Sequence, residues 1–251
     1  VIRVGWIADD PGYVGGGELT QRELRAAAPD DIEVVDMRPG EIAASCSIYA
    51  IHNCATYDPK EIAVLKDAPA VWKYWNDVGS WYGQDFHDVL ADVARPICCS
   101  RLQADYMGLD DAALIPPPID LSRFEDAAAD VDGNRAGAVS VAQWRSVGKG
   151  AHAALEWAAG NGGADFYGGG VFAPEGSREL AYEGMPALLA RYQSFVFLPT
   201  VIEPFGRLVV EAWAAGCELV VNELVGAVGW IRDDPGAIRT AAADYWALIL
   251  G

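Results

Sequence analysis

Lysine is nearly absent from this chain: Lys60, Lys66, Lys73 and Lys149 are the only four in 251 residues. Arginine carries most of the positive charge. With 36 Asp and Glu against 18 Lys and Arg, the formal net charge is −18. Such an acidic surface repels nucleic acid and anionic membrane, and no basic cluster along the chain offsets it. The acidity reads as a solubility or salt adaptation. Histidine is scarce too, and His52, His87 and His152 form no ligand pair. Cys46, Cys54, Cys98, Cys99 and Cys217 are odd in number and lack metal spacing. Free buried thiols in a reducing compartment are expected, with no protein-bound metal. No apolar run is long enough to cross a bilayer and no signal peptide is recognisable, so the expectation is a soluble, cytoplasmic protein.

What is present is a regular alternation. "VIRVGWIA", "IEVVDM", "CSIYAIHN", "AVWKYWN", "PICCS" and "AALIPPPID" read as six strands, with helical patterns such as "GELTQRELRAAAP" and "FHDVLADVA" between them. The pattern then restarts with "AGAVSVAQW", "ADFYGGG", "SFVFLPT" and "CELVVNE" as strands and "AADYWALIL" as a terminal helix. Strand–helix alternation of this kind builds parallel sheets covered by helices on both faces. The expected fold class is therefore α/β, with two Rossmann-like domains facing across a cleft. The first domain spans residues 1–117 and the second 118–251, joined at Pro116-Pro117-Pro118, which cannot continue a helix or central strand. "EDAAADVDGNRAG", residues 125–137, is expected to be an exposed loop.

Glycines leave several strand ends: Gly15, Gly16 and Gly17 after the first strand, Gly168, Gly169 and Gly170, and Gly206. Together they suit close backbone approach to a phosphate-bearing ligand at the carboxyl ends of the strands. The stretch "EPFGRLVVEAWAAG", residues 203–216, is more specific. It places Glu211 in an apolar helix, where a carboxylate costs several kcal/mol unless something bonds to it.

With Glu203 and Glu211 separated by seven residues and followed by Ala212, Ala214 and Gly216, this segment resembles the donor-site motif of retaining glycosyltransferases of the GT-B fold, family 4 in particular. "WRSVGKG" is similar to that family's Gly-Arg…Lys-Gly stretch, "FYGGG" to its Gly-x-Gly strand exit, "IPPPIDLSRF" to its interdomain linker and "GGGE" to its N-terminal glycine loop.

The resemblance implies transfer of a sugar from a nucleotide-diphosphate donor, such as a UDP or GDP sugar, to an acceptor hydroxyl with retention at the anomeric carbon. It implies that Glu203 orients the donor sugar and Glu211 accepts hydrogen bonds from ribose hydroxyls. Phe205, Gly206, Arg207 and Leu208 would open a helix toward the diphosphate, and Arg145 and Lys149 would balance its charge. Gly16, Gly17, Gly168 and Gly169 would approach the donor. No divalent metal or other cofactor is then obligatory. Many members of the family carry a histidine after the fourth N-terminal strand. Here Asn76 stands there, fit to bond a sugar hydroxyl, followed by Asp77, which is either an acceptor-side base or a turn cap. Trp75 and Trp81 flank the same loop as candidates for stacking on a sugar or acceptor. The acceptor is unidentified: glycan, lipid, protein or modified DNA. Two alternatives remain at this stage, a non-catalytic nucleotide-sugar-binding module and a small viral enzyme acting on modified DNA bases.

Overall fold

The apolar runs form two parallel sheets. The computed structural model describes every residue except 10–14, 43–44, 80–81 and 132. Its first sheet contains β1 (Ile2–Ile7), β2 (Ile32–Met37), β3 (Ile48–Ile51), β4 (Val71–Trp75), β5 (Arg95–Cys98) and β6 (Ala113–Leu114), in the spatial order β2-β1-β3-β4-β5-β6. The second contains β7 (Ala136–Val141), β8 (Asp165–Tyr167), β9 (Tyr192–Phe197) and β10 (Glu218–Val221), in the order β10-β9-β7-β8. Every strand pair is parallel.

Parallel neighbours need a crossover. In the first sheet these are helices α1 (Gly16–Ala26), α2 (Pro59–Ala63), α3 (Gln84–Val93) and α4 (Arg101–Met107). Helix α5 (Ser122–Ala129) precedes the second sheet, whose crossovers are α6 (Ala151–Gly160), α7 (Met185–Leu189) and α8 (Arg207–Ala214). Helices α9 (Ala227–Asp233) and α10 (Gly236–Leu250) follow. The winding reverses once in each sheet, between β1 and β3 and between β7 and β9. A switch point of this kind leaves a crevice beyond the strand ends. The α/β class with two Rossmann-like sheets is as expected. Among the described residues no helix is long and apolar enough to cross a membrane.

The chain divides into two compact units, Val1–Pro118 with Asp234–Gly251, and Ile119–Asp233. The last stretch therefore departs from the sequence reading, which gave residues 118–251 to the second domain. The reason is aromatic packing. α10 buries Ile238, Ala241, Tyr245, Trp246 and Ile249, and Trp246 Nε1 donates to the Leu24 carbonyl of α1 at 2.8 Å. Trp246 lies 6.2 Å and Tyr245 6.4 Å from Trp6 of β1, ring centre to ring centre. Neighbouring residues of a strand point to opposite faces, so Ile7 and Trp75 join the aliphatic core on the other side, with Ile51, Leu65, Phe86 and Leu90.

Residues 125–129, expected in a loop, belong instead to α5. The segment is alanine-rich, which favours helix, and Phe124 anchors it at 1% exposure. All five cysteines are free and buried.

Beneath α10 lies a titratable group with no charged partner of opposite sign among the described residues. His52 is fully buried, stacked 4.2 Å from Trp6, with Nε2 sharing a hydrogen bond with the Tyr245 hydroxyl at 3.1 Å. Lys73 Nζ, also buried, donates to the His52 carbonyl. Burial, and then the Lys73 charge, hold the His52 imidazole well below its usual pKa. The unfolded chain takes up a proton near pH 6.5, where the folded chain does not, so this stabilisation is present above that pH and is lost as pH falls. The expected loss is about 1.4 kcal/mol per pH unit below about 6.5. Denaturation midpoints measured from pH 7.5 to 5 should fall more steeply for the native chain than for His52→Phe.

Candidate functional site

The second unit gathers its polar groups at the β7/β9 switch point, and glycine is what lets it do so. Beyond β7 the chain runs beside the exit of β8: Ala142 N–H donates to Tyr167 O at 3.2 Å and Trp144 N–H to Gly169 O at 2.8 Å. The fully buried Trp144 indole donates to Tyr167 O as well. A Cβ at Gly168, where φ is +104°, would lie 1.9 Å from the Ala142 carbonyl oxygen. Gly168 is thus required by backbone packing alone. Gly169 is less constrained, its Cβ position lying 3.0 Å from Glu179 Oε1.

The chain next turns over Val147–Lys149, capped by Ser146 Oγ on the Gly148 N–H at 3.1 Å. At Gly150, where φ is +76°, a Cβ would fall 1.8 Å from Leu198 O. The turn is therefore pressed against the exit of β9, and Thr200 N–H bonds Gly148 O at 2.9 Å. This brings Lys149 Nζ to Glu203 Oε2 at 2.5 Å, with the side chains 35% and 18% exposed. Glu203 is itself held by its backbone, N–H to Leu224 O at 2.8 Å and C=O to the Gly226 N–H at 3.0 Å. Arg145 lies exposed on the loop between Trp144 and the turn.

Helix α8 begins beside Glu203. Gly206, in the left-handed region at φ +83°, is its N-cap, and no side chain caps it. A helix start left open in this way presents N–H groups and a positive dipole end. Phe205 is 5% exposed and Arg207 is buried, so these two contribute backbone rather than side chain to any ligand at that end. Leu208 is half-buried.

Glu211, one turn further, has no exposed surface. A buried carboxylate needs partners from the protein or a ligand, and within the chain its Oε1 meets two donors while Oε2 accepts no hydrogen bond among the described residues. Arg207 Nε donates to Oε1 at 3.0 Å, and the Tyr182 hydroxyl donates to the same oxygen at 2.6 Å. Burial, then the Glu211 charge, push the Tyr182 phenol far above its usual pKa, so it stays a donor. Tyr182 carries no sequence signal: it stands in a polar stretch 29 residues from Glu211.

The first unit holds a separate polar cluster. A Cβ at Gly17 would lie 2.8 Å from Asn53 Nδ2 and 3.4 Å from Asn76 Cβ, whereas Gly16 faces open space. Glycine at 17 thus lets the amides beyond β3 and β4 approach α1, where Asn53 Nδ2 donates to Glu18 Oε1 at 3.4 Å. Asn76 Nδ2 is buried without a hydrogen-bond partner among the described residues. Asp77 Oδ1 accepts from the Gly79 N–H at 2.6 Å, and its carbonyl accepts from Gln103 Nε2. Its carboxylate therefore caps a turn. Sequence reasoning passed over Glu18, Asn53 and His87; the last accompanies the Asp77 loop by stacking 5.6 Å from Trp75 and meeting Gly79 O at 2.8 Å. Trp75 is 5% exposed and Trp81 lies outside the described residues. Among the described residues no group of three His, Cys, Asp or Glu side chains is placed to hold a metal ion.

No family model matches the chain, and no curated protein matches it. Solved structures do. The complex of Anabaena Alr3699/HepE with UDP and glucose is 15% identical, with a TM-score of 0.67 over 99% of this chain and 95% of that one. A glycosyltransferase from Rickettsia africae is 14% identical, with a TM-score of 0.61 over 100% and 89%. AviGT4, a glycosyltransferase of avilamycin A biosynthesis, is 19% identical, with a TM-score of 0.57 over 100% and 89%. The chain has the fold of these proteins, the two-Rossmann GT-B fold.

The Arg207–Glu211 pair makes a stability prediction. Glu211→Ala removes an opposite charge that a buried guanidinium faces and should lower the unfolding free energy by about 3–5 kcal/mol. Replacing both, Glu211→Ala with Arg207→Met, should recover most of that loss. Urea denaturation of the three proteins measures both effects.

Proposed function

We propose that the protein is a retaining glycosyltransferase that moves a sugar from a nucleoside-diphosphate donor, UDP-linked in the first instance, to an acceptor hydroxyl. The observation that carries this reading is the Lys149–Glu203 pair at the switch point of the second sheet, beside the uncapped start of α8. A diphosphate is held by cations and by the N–H groups of a helix start, and this end of the unit has Lys149 beside a helix start that no side chain caps. In a chain with only four lysines, one stands here. The presence of UDP with HepE, which shares the fold, supports the same reading.

The roles follow from the chemistry. Arg145 and Lys149 balance the charge that grows on the leaving diphosphate, together with the backbone from Phe205 to Leu208. An ammonium has three donors, so Lys149 can hold Glu203 and still offer hydrogen to phosphate. Glu203, fixed in that pair, orients the sugar through its hydroxyls. Glu211 takes the ribose, and Gly168 and Gly169 contribute backbone to the nucleoside. Gly16, Gly17 and Asn76 are the first unit's own candidates for contact with the donor. In the reaction, the bond from the anomeric carbon to the diphosphate oxygen breaks while the acceptor oxygen bonds to that carbon on the same face. The acceptor proton passes to the departing phosphate oxygen, which leaves Asp77 to its turn. The protein supplies position and charge rather than a covalent nucleophile, and with Arg145, Lys149 and the helix start in place no divalent metal is obligatory.

UDP at 100 times its Kd should stabilise the fold by about 2.7 kcal/mol, read as a rise in the thermal midpoint. Arg145→Ala and Lys149→Ala should each lower turnover of the accepted nucleotide sugar, followed by nucleotide release, by about 10²–10³-fold. Absence of binding by UDP, GDP and their sugars at millimolar concentration would overturn the proposal, and an inverted product configuration by NMR would overturn retention.

A further inference from the structure

The switch point of the first unit is built around a rigid corner. Its sheet reverses between β1 and β3, and each residue leaving β3 from His52 to Thr56 has a backbone group bonded elsewhere in the unit. The His52 N–H donates to Ile7 O at 2.8 Å, and its carbonyl accepts from Lys73 Nζ. The Asn53 carbonyl accepts from the Asp9 N–H at 2.6 Å, and the Cys54 N–H donates to the Tyr82 hydroxyl at 3.1 Å. The Asp9 carboxylate then accepts from the N–H groups of Ala55 at 2.7 Å and Thr56 at 3.1 Å. A side chain carried on so fixed a backbone is preorganised, and Asn53 is the one that this segment holds, half-buried, against α1.

The groups that Asn53 meets there are short of hydrogen bonds. Glu18 is 5% exposed, and among the described residues its carboxylate has one hydrogen bond, from Asn53 Nδ2 at 3.4 Å. That distance is long for N–H···O. Asn76 Nδ2 is buried without a partner among the described residues. Gly17 lets the two amides stand side by side: a Cβ there would lie 2.8 Å from Asn53 Nδ2 and 3.4 Å from Asn76 Cβ. Buried polar groups are ordinarily paired. A carboxylate with one long bond and an orphaned amide, both at a switch point, mark a place for a hydrogen-bonding ligand.

The chemistry of the set selects that ligand. Glu18 only accepts, the two amides donate through nitrogen, and a hydroxyl does both. Adjacent hydroxyls of a sugar can therefore donate to Glu18 while accepting from Asn53 and Asn76. A phosphate or carboxylate brings no hydrogen for Glu18 and meets its negative charge. We propose that Glu18 and Asn53, with Asn76 beside them, form a subsite for adjacent hydroxyls of an uncharged sugar. The glycosyl-transfer reading, on which this rests, offers two sources of that sugar, the donor's own and the acceptor.

Titrations into the native protein, Glu18→Gln and Asn53→Ala test it. The ligands are UDP, UDP-glucose, and glucose, galactose and mannose with and without UDP. Glu18→Gln keeps the shape and removes the charge. Asn53→Ala leaves the backbone bonds from His52 to Thr56 in place, so both variants should keep the native thermal midpoint closely. Glu18→Gln, which loses charge-assisted bonds, should weaken sugar binding about tenfold, and Asn53→Ala by less. Both should bind UDP as the native protein does. A loss confined to UDP-glucose assigns the subsite to the donor's sugar, and a loss confined to the free sugars assigns it to the acceptor. If both variants bind every sugar ligand as the native protein does, or lose UDP to the same extent, the pair is structural and the subsite is overturned. The nucleotide reading then stands on UDP binding by the native protein. If UDP binds none of the three proteins while the free sugars bind and weaken in the variants, the nucleotide reading fails and the subsite remains. Absence of binding by every sugar ligand at millimolar concentration overturns the subsite.

Discussion

The second unit is organised by backbone lying directly against backbone. At Gly150 and Gly168 a single added carbon would fall within 2 Å of a carbonyl oxygen, at Leu198 and Ala142 respectively. Both residues also need a positive φ, which side chains rarely adopt. These two contacts press the loops leaving β7 and β8 and the exit of β9 into one layer. Lys149 reaches Glu203 because its turn cannot lift off Leu198, and Arg145 lies between the two clamped points. The glycines that looked like ligand loops are thus first a scaffold, and any ligand role of their backbone depends on that scaffold.

Charge is used sparingly inside an acidic chain. Of four lysines, Lys73 is buried against the His52 carbonyl and the rings of Trp75 and Tyr82, while Lys149 sits at the switch point. The buried guanidinium of Arg207 is matched by Glu211. Burying a charge is tolerable only with such partners, so these pairings restrict which side chains can move.

Much of the fold was legible because the signals are local. β-branched runs, helical apolar spacing and glycine exits located every strand of both sheets, an apolar helix singled out Glu211, and the resemblance to the GT-B glycosyltransferases marked Glu203 and Lys149 as candidates. Two elements were misread for physical reasons. Ser122–Ala129 mixes acidic residues with alanine, and composition alone does not separate a polar helix anchored by one Phe124 from a loop. The terminal helix was recognised, but its sheet was not, since that choice rests on Trp246 meeting Leu24 and Trp6 more than two hundred residues away.

What the sequence by itself determined is the order of elements, the parallel α/β class and the seven-residue interval that sets two glutamates around one helix start. Each depends on neighbours within a turn or a strand. Only the tertiary structure decided what those groups meet. It brought Tyr182 and Arg207 to Glu211, Lys149 to Glu203 and α10 to the first sheet, and it turned the Asp77 carboxylate onto the Gly79 N–H. The physical reason is that a side chain's partner is chosen by packing across the sheet and between loops, and hydrophobic periodicity along the chain carries no record of that choice.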